Sequence, residues 1–488
     1  MSGPHSHGFS RFPTGRLALV FVIIAVATLS FTLPALALYF SGDDLANLGY
    51  YRERPFLTFV SNLTFWSSFR RPLGGALYLI LYQVFGMTPV VYYLTGLLIF
   101  YLNLALLLYF LWRLTGEYWI AAVGGVVATL HPQHHNIWYN FGAVYELLAC
   151  AFMLASFIFY LWFRESGSWR RYYLPALACF LLALNSKEMA VTLPVLLFCY
   201  ELIYRNLFQS RPSISPAILP IFPFALISGV YTIGKVLGEE AFWRDNPLYR
   251  FYFDLTIYHN LHAYLDITLY NLFHFNDAKL AWTIAGTLIL ALALKSRHLL
   301  FGWSFFWLSF MPVLPLPRVW GLFLYIPLIG FAIYVGGLVF EFISRVSAFL
   351  PQQKNRWAVS AVGWVGFVVI TAGLYLKISH EIPMVYATHY LNPRQEWALF
   401  ARHLVEQKPQ ASSESMFLFE NDPAEQWYLH FIVWLTYDNF DIRVLRAPDD
   451  VARFLKLRDL YPDTVILRWD GTELKRLSDL SQLQSSPP

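Results

Sequence analysis

Apolar runs recur along this chain, separated by short polar turns. They cover residues 17–40, 90–112, 118–131, 144–163, 172–186, 188–206, 216–236, 279–295, 299–316, 320–342 and 357–377. A helix needs about 20 apolar residues to cross a bilayer core. Most of these runs approach that length, which predicts a polytopic α-helical membrane protein with about eleven spans. The apolar stretch 73–86 is only about 14 residues long and reads as a helix in or near the interface. The stretch 251–275 holds Asp254, His259, Asn260, His262, Asp266 and Asn271. That is too polar for a lipid-facing span, so it reads as an outer-face or re-entrant helix.

The pattern changes after about residue 380. Pro393 to Gln410 reads as an amphipathic helix. Ser415–Glu420, Asp441–Leu445 and Thr464–Arg468 read as short strands, with a helix over Pro423–Tyr437. The expected division is a transmembrane module over 1–378 and a small α/β outer domain over 379–488. The latter has neither a glycine-rich phosphate loop nor a nucleophile elbow, and its tail Ser481–Pro488 is expected to be disordered. There is no internal repeat.

Composition agrees with the membrane reading. Of 488 residues, 57% are hydrophobic and 14% charged; so few charges do not cover a soluble surface. The net charge of +4 says little about partners; the positions of the basic residues say more. If 73–86 does not cross, Arg11/Arg16, Arg113, Arg164/Arg170/Arg171, Arg205/Arg211, Lys295/Arg297 and Arg345/Lys354/Arg356 all fall on one side. The positive-inside rule makes that side cytoplasmic. The N-terminus is then cytoplasmic and the C-terminus extracytoplasmic, in a plasma (inner) membrane. Cys150, Cys179 and Cys199 lie inside apolar runs without metal-type spacing and read as small core residues.

This topology gathers unusual polar residues at the outer face. Asp43 and Asp44 follow the first run directly. Adjacent carboxylates raise the proton affinity of at least one of them. The pair suits a general base, a metal ligand or an acceptor for sugar hydroxyls; a helix cap is the plainer alternative. Arg70-Arg71-Pro72 suits a phosphate or an interfacial anchor. His131, His134 and His135 suit phosphate contact or a metal, although Pro132 interrupts a regular helix there. Glu146 opens the next span. Lys187-Glu188 sits in a tight turn between two spans, where a lysine is a point charge for phosphate. Arg318 follows Pro312, Pro315 and Pro317 at the outer end of a span, against the positive-inside preference.

Taken in order, these motifs resemble the membrane module of GT-C glycosyltransferases, in particular TMTC-type (transmembrane and TPR-containing) O-mannosyltransferases and their bacterial relatives. Asp43-Asp44 matches the acidic pair after the first span, and Arg71-Pro72-Leu73 the Arg-Pro-Leu before a short helix. Gly86 to Pro89 matches a Gly-x-x-Pro step. His131-Pro132-Gln133-His134 resembles His-Pro-x-His, followed by Glu146-Leu147-Leu148. Ser186-Lys187-Glu188 with Thr192-Leu193-Pro194, Asn246-Pro247-Leu248, and Leu324-Tyr325-Ile326-Pro327 through Gly330 complete the set. The chain departs from the pattern at Val144, at Asn136 and at Gly321-Leu322, and it lacks TPR repeats.

The resemblance implies a GT-C-like fold and a glycosyltransferase, a mannosyltransferase among the options. The donor would be a sugar on a polyprenyl phosphate, and the acceptor a hydroxyl of a protein or glycolipid, at an outer-face site among membrane lipids. Asp43 or Asp44, with Asp44 slightly preferred, would be the catalytic base. Lys187, His131, His134, Arg318 and Arg71 would bind the donor phosphate, supported by Glu188 and Glu146. No cofactor is required by the sequence, a divalent cation is compatible with the site, its metal ligands are unassigned, and nothing points to nucleic acid. Two other readings stand beside this one. The first is an aminosugar or pentose transferase acting on a lipid A-like glycolipid. The second is a non-catalytic lipid-linked-sugar binder or transporter.

Overall fold

The computed structural model describes residues 14–52, 55, 57, 71–206, 218–237, 250–271, 277–348, 355–424 and 428–483. It is mainly helical. The first helices are α1 (Thr14–Thr32), α2 (Gly42–Arg52), α3 (Pro72–Phe85), α4 (Pro89–Thr115), α5 (Tyr118–Thr129) and α6 (Val144–Ser166). Then come α7 (Leu174–Leu184), α8 (Leu193–Tyr200), α9 (Phe222–Leu237), α10 (Leu255–Thr268), α11 (Asp277–Ala293) and α12 (Arg297–Phe310). The bundle closes with α13 (Pro327–Ala348) and α14 (Asn355–Val385). Glycines end two of the long helices. Gly116 and Gly167 adopt left-handed conformations, and their N–H groups return to Trp112 and Phe163.

Five helical runs among the described residues are long and apolar enough to cross a membrane: Gly15–Ala37, Pro89–Thr115, Phe141–Ser166, Pro327–Val346 and Ser360–Gln407. This is fewer than the eleven expected. The runs at 118–131, 172–186, 188–206, 216–236, 279–295 and 299–316 fold as shorter helices, several joined by π or 3-10 turns. Helix α5 is enclosed by its neighbours. Its residues from Ile120 to Thr129 are all buried, so its apolar character serves protein packing rather than lipid. Small residues make the close approaches: a Cβ on Gly302 would press on the backbone at Tyr334 and Gly330, where α12 meets α13.

The expected boundary at 378/379 falls inside α14. That helix passes through a π turn (Tyr386–Leu391) into α15 (Asn392–Gln407) as one continuous helical run. Beyond it lies a four-stranded sheet of order β2-β1-β3-β4. The strands are β1 (Ser415–Glu420), β2 (Arg443–Arg446), β3 (Asp463–Trp469) and β4 (Leu474–Leu477). Helix α16 (Tyr428–Tyr437) crosses from β1 to β2, and α17 (Val451–Leu457) lies between β2 and β3. Strand β1 pairs in parallel with both neighbours, so Phe417 faces Val444 on one side and Val465 on the other; β4 runs antiparallel to β3.

Three strands lie where the apolar pattern puts them. β4 and α17 are not foreseen: β4 is a four-residue edge strand carrying Lys475 and Arg476, charges typical of a protected edge. One face of the sheet joins the bundle's apolar core through Phe400, Leu404, Phe417 and Phe419. The other encloses a small separate core of Met416, Leu418, Leu445, Ala447 and Phe454. The expected motif Asn246-Pro247-Leu248, Arg70 and most of the expected tail lie outside the described residues.

Candidate functional site

The two aspartates follow from how α2 begins. The Ser41 hydroxyl accepts from the Asp44 N–H at 3.1 Å, while the Asp44 carboxylate accepts from the Ser41 N–H at 2.9 Å. This reciprocal cap is the capping-box geometry, with an aspartate as the acid. Asp44 turns fully inward, where its Oδ1 accepts from the Tyr78 hydroxyl at 3.0 Å and its Oδ2 from Tyr93 at 3.4 Å. Successive helical residues diverge by about 100°, so Asp43 turns the other way and reaches water. The preference for Asp44 as the reacting group therefore meets a carboxylate whose lone pairs are already taken. Asp43 is the one presented.

Asp43 sits in a built recess. The turn Asn140–Gly142 lies alongside, close enough that a Cβ on Gly142 would stand 3.7 Å from the Asp43 Cβ. The Asn140 amide oxygen holds this turn to α2, accepting from the Gly142 N–H at 3.1 Å and the Ser41 hydroxyl at 3.2 Å. The Tyr428 hydroxyl donates to Asp43 Oδ1 at 3.3 Å. Desolvation and then the neighbouring Asp44 charge push the Asp43 carboxyl up; the Tyr428 hydrogen bond, Arg71 and Arg394 oppose that rise.

The basic residues approach from three other segments. Arg71, just before α3, makes a forked contact with Glu188 at 3.3 and 3.4 Å and lies 4.9 Å over the Tyr145 ring. The first turn of α3 is tied to the 185–188 turn, since the Leu73 N–H donates to the Asn185 carbonyl at 3.3 Å. In that turn Lys187 is buried, paired with the buried Glu146 of α6. Its ammonium lies 5.2 Å from the Phe323 ring centre. Phe323 meets Trp320 at 5.1 Å, and Arg318 lies 4.9 Å over Trp320. Lys187 and Arg318 thus stand at the two ends of one aromatic row. Arg318 is half-buried and, among the described residues, makes no ion pair.

His131 and His134 are placed differently from a phosphate-binding pair. Both are buried. His131 accepts from the Gln133 N–H through Nδ1 and turns Nε2 to the Thr268 carbonyl; His134 turns Nδ1 to the Thr129 carbonyl at 2.8 Å. Burial pushes their proton affinities down, to about 3 and about 4, so both rings are neutral at pH 7. A neutral ring committed to backbone carbonyls is poorly suited to hold an anion. His135 points away, to the Tyr390 hydroxyl at 2.7 Å, so the three histidines do not converge. Among the described residues no three His, Cys, Asp or Glu side chains gather as a metal site.

Sequence reasoning missed Asn140, Arg394 and Tyr428. Arg394 of α15 is buried and donates to the Tyr93 hydroxyl at 2.6 Å and the Tyr139 carbonyl at 2.5 Å. It reaches Asp44 only through Tyr93. No local motif marks any of the three; each gains meaning from an element distant in sequence.

No family model matches this chain, and no curated protein matches it in sequence. Solved structures do match its fold. ArnT from Cupriavidus metallidurans bound to undecaprenyl phosphate is 15% identical over 97% of this chain and 100% of that one, with a TM-score of 0.53. Its apo state matches at 16% identity over 94% of each chain, with a TM-score of 0.52. The apo oligosaccharyltransferase from Archaeoglobus fulgidus is 9% identical over 94% of this chain and 70% of that one, with a TM-score of 0.54. The chain has the GT-C fold.

Proposed function

We propose that this is an integral-membrane glycosyltransferase that moves a sugar from a polyprenyl phosphate to an acceptor hydroxyl at the extracytoplasmic face. The observation that carries the reading is the division of labour between the adjacent aspartates. Asp44 is locked inside by Tyr78, Tyr93 and the Ser41 cap, while Asp43 is presented in a recess at the same end of the bundle as Arg71, Lys187 and Arg318. The fold shared with a protein solved with undecaprenyl phosphate supports the donor class.

In this reading Asp43 takes the proton of the acceptor hydroxyl. The hydroxyl oxygen bonds to the anomeric carbon as the bond to the phosphate oxygen breaks. The electron pair leaves with the polyprenyl phosphate, whose charge is stabilised by nearby cations. Arg318, with no ion pair among the described residues, is the readiest of them, with Lys187 and Arg71 behind it. Glu146 and Glu188 hold those two cations in place between turnovers. The acceptor is a protein Ser/Thr or a glycan or glycolipid hydroxyl.

The test uses the purified, folded full chain with polyprenyl-phosphate mannose and a polyprenyl-phosphate aminopentose. Each donor is offered to serine/threonine peptides and to glycolipids. Transfer that survives Asp43→Asn and Asp44→Asn undiminished rules out the proposed base. Binding of either donor with no transfer to any acceptor would favour a non-catalytic binder.

A further inference from the structure

The C-terminal unit is seated directly on the helix that carries Asp43. Phe431 of α16 lies where a Cβ on Gly49 of α2 would stand, and Tyr428 does the same at Gly42. Two glycines two turns apart on one face of α2 thus form the floor on which α16 rests. At the far end of α16, Asp438 is paired with Arg52 of α2, and the Tyr82 hydroxyl of α3 donates to Asp438 at 2.5 Å. The Arg52 guanidinium also lies 5.1 Å from the Phe440 ring centre. The seat is therefore apolar in the middle and charged at one end. At its other end the Tyr428 phenol is brought onto Asp43.

We propose that Tyr428 is a positioning residue for Asp43, delivered by α16, so that the carboxylate is set for its work only while the C-terminal unit sits on α2. The phenol fixes one carboxylate oxygen by donating to it and leaves the other free for a substrate hydroxyl. The charged and titratable groups facing Asp43 are Asp44 from α2, Arg71 at the start of α3, Arg394 from α15 and Tyr428 from α16. Asp44 disfavours the ionised form, as does burial. The donated hydrogen bond favours it. Tyr428 thus keeps Asp43 available as a base in a place that otherwise favours its protonation. The catalytic consequence rests on the transferase reading; the link between the two side chains rests on geometry alone.

The experiment reads Asp43 directly. Carbodiimide and an amine label protonated carboxyls, and peptide mass spectrometry follows Asp43 labelling in the full-length chain as pH is varied. Tyr428→Phe keeps the ring on Gly42 and removes only the hydroxyl. One lost hydrogen bond of ordinary net strength should move the Asp43 midpoint upward by about 0.5–1 pH unit. Gly42→Ala puts a methyl group into the Tyr428 ring and should move it in the same direction; it decides the matter should Tyr428→Phe not yield a monodisperse protein. A midpoint that stays in place or falls in the variants overturns the proposal. Labelling needs no sugar donor, so this outcome is independent of whether transfer is observed. Where transfer is measurable, the acid limb of its pH profile should move upward with the labelling midpoint, a response that a purely structural tyrosine would not give.

Discussion

The two ends of helix α6 carry buried acid–base clusters that differ in kind. Near its C-terminal end, Glu201 is almost completely enclosed. It takes Arg164 at 2.7 Å, the Tyr160 hydroxyl at 3.0 Å and Arg205 at 3.6 Å. The Arg205 guanidinium also donates to the Arg164 carbonyl, so one acid is clasped by two arginines from neighbouring segments. About 27 Å away along the same helix, Glu146 meets Lys187, and around them stand Arg71, Glu188, Arg318 and the aspartate pair. That end is not clasped. Asp43 reaches water, the Arg318 guanidinium lies over the Trp320 ring, and the contributing segments come from five regions of the chain. A closed ionic cluster holds helices together. An open one, with a presented carboxylate and a guanidinium that makes no ion pair among the described residues, has capacity left for a ligand.

The sharpest way to break this contrast is to remove the presented carboxylate. Asp43→Asn keeps the shape and loses the base, so transfer should fall by about 10²–10⁴-fold, measured as initial rates with saturating donor. The folded protein should be retained, because an exposed side chain contributes little to stability. A tenfold or smaller loss would make the open end a binding site without proton transfer.

Glu201→Ala addresses the closed end and should have the reverse profile. It leaves the half-buried Arg164 without its acid; breaking a fully buried pair costs about 3–5 kcal/mol, so the cost here falls toward the lower end. Thermal unfolding in detergent should show a large drop in midpoint, while the surviving folded fraction transfers at an unchanged rate. Activity lost beyond the loss of folded protein would mean that the two ends are coupled along α6.

Between these extremes lies Asp44→Asn. Hydrogen bonds to a charged group contribute about 1.5–3 kcal/mol, and Asp44 accepts several, from Ser41, Tyr78 and Tyr93. The substitution should lower stability by about that much and reduce transfer chiefly by disordering α2. Rescue of the rate at lower temperature would support this indirect role. If the rate stays depressed with α2 intact, Asp44 acts in the chemistry itself.

The contrast also explains what was readable in the sequence. Apolar period and length gave α1, α4, α6 and α13, because a long apolar run is recorded in its own composition. They do not tell a run that packs against protein from one that faces lipid: α5 is enclosed by its neighbours, whereas α7 and α8 leave Leu174, Leu181, Val195 and Phe198 exposed. Strands β1 and β3 were legible as short apolar runs; β4, with Lys475 and Arg476, was not. For the site, Asp43, Asp44, Arg71, Lys187 and Arg318 were picked out as polar residues in apolar surroundings. Their partners were harder to see. Glu146 was named without its link to Lys187, and Tyr428 was not named at all, because its contact with Asp43 joins residues 385 positions apart. Histidines mislead for a related reason: three in five residues suggest a ligand set, yet whether their rings converge is decided by α10 and by the π turn before α15, which supply Thr268 and Tyr390.

The smallest expected effect is the most discriminating, since it asks whether the open end carries a cost in stability. Burial and Asp44 raise the proton affinity of Asp43 in the folded chain. A carboxyl so raised binds more protons folded than unfolded between its unfolded value, about 3.9, and its higher folded value. Stability therefore falls as pH rises through that window and is flat beyond it. Asparagine has no charge to disfavour, so Asp43→Asn should be slightly more stable than wild type above the window and equal to it below pH 3. With Asp43 exposed to water the gain should be at most about 0.5 kcal/mol, read as a pH-dependent difference between the two unfolding midpoints. A gain confined to the higher pH, in the variant that has lost transfer, is what a carboxylate kept for function predicts. A variant less stable than wild type at every pH would make Asp43 a structural residue like Asp44, and the difference between the two aspartates would disappear.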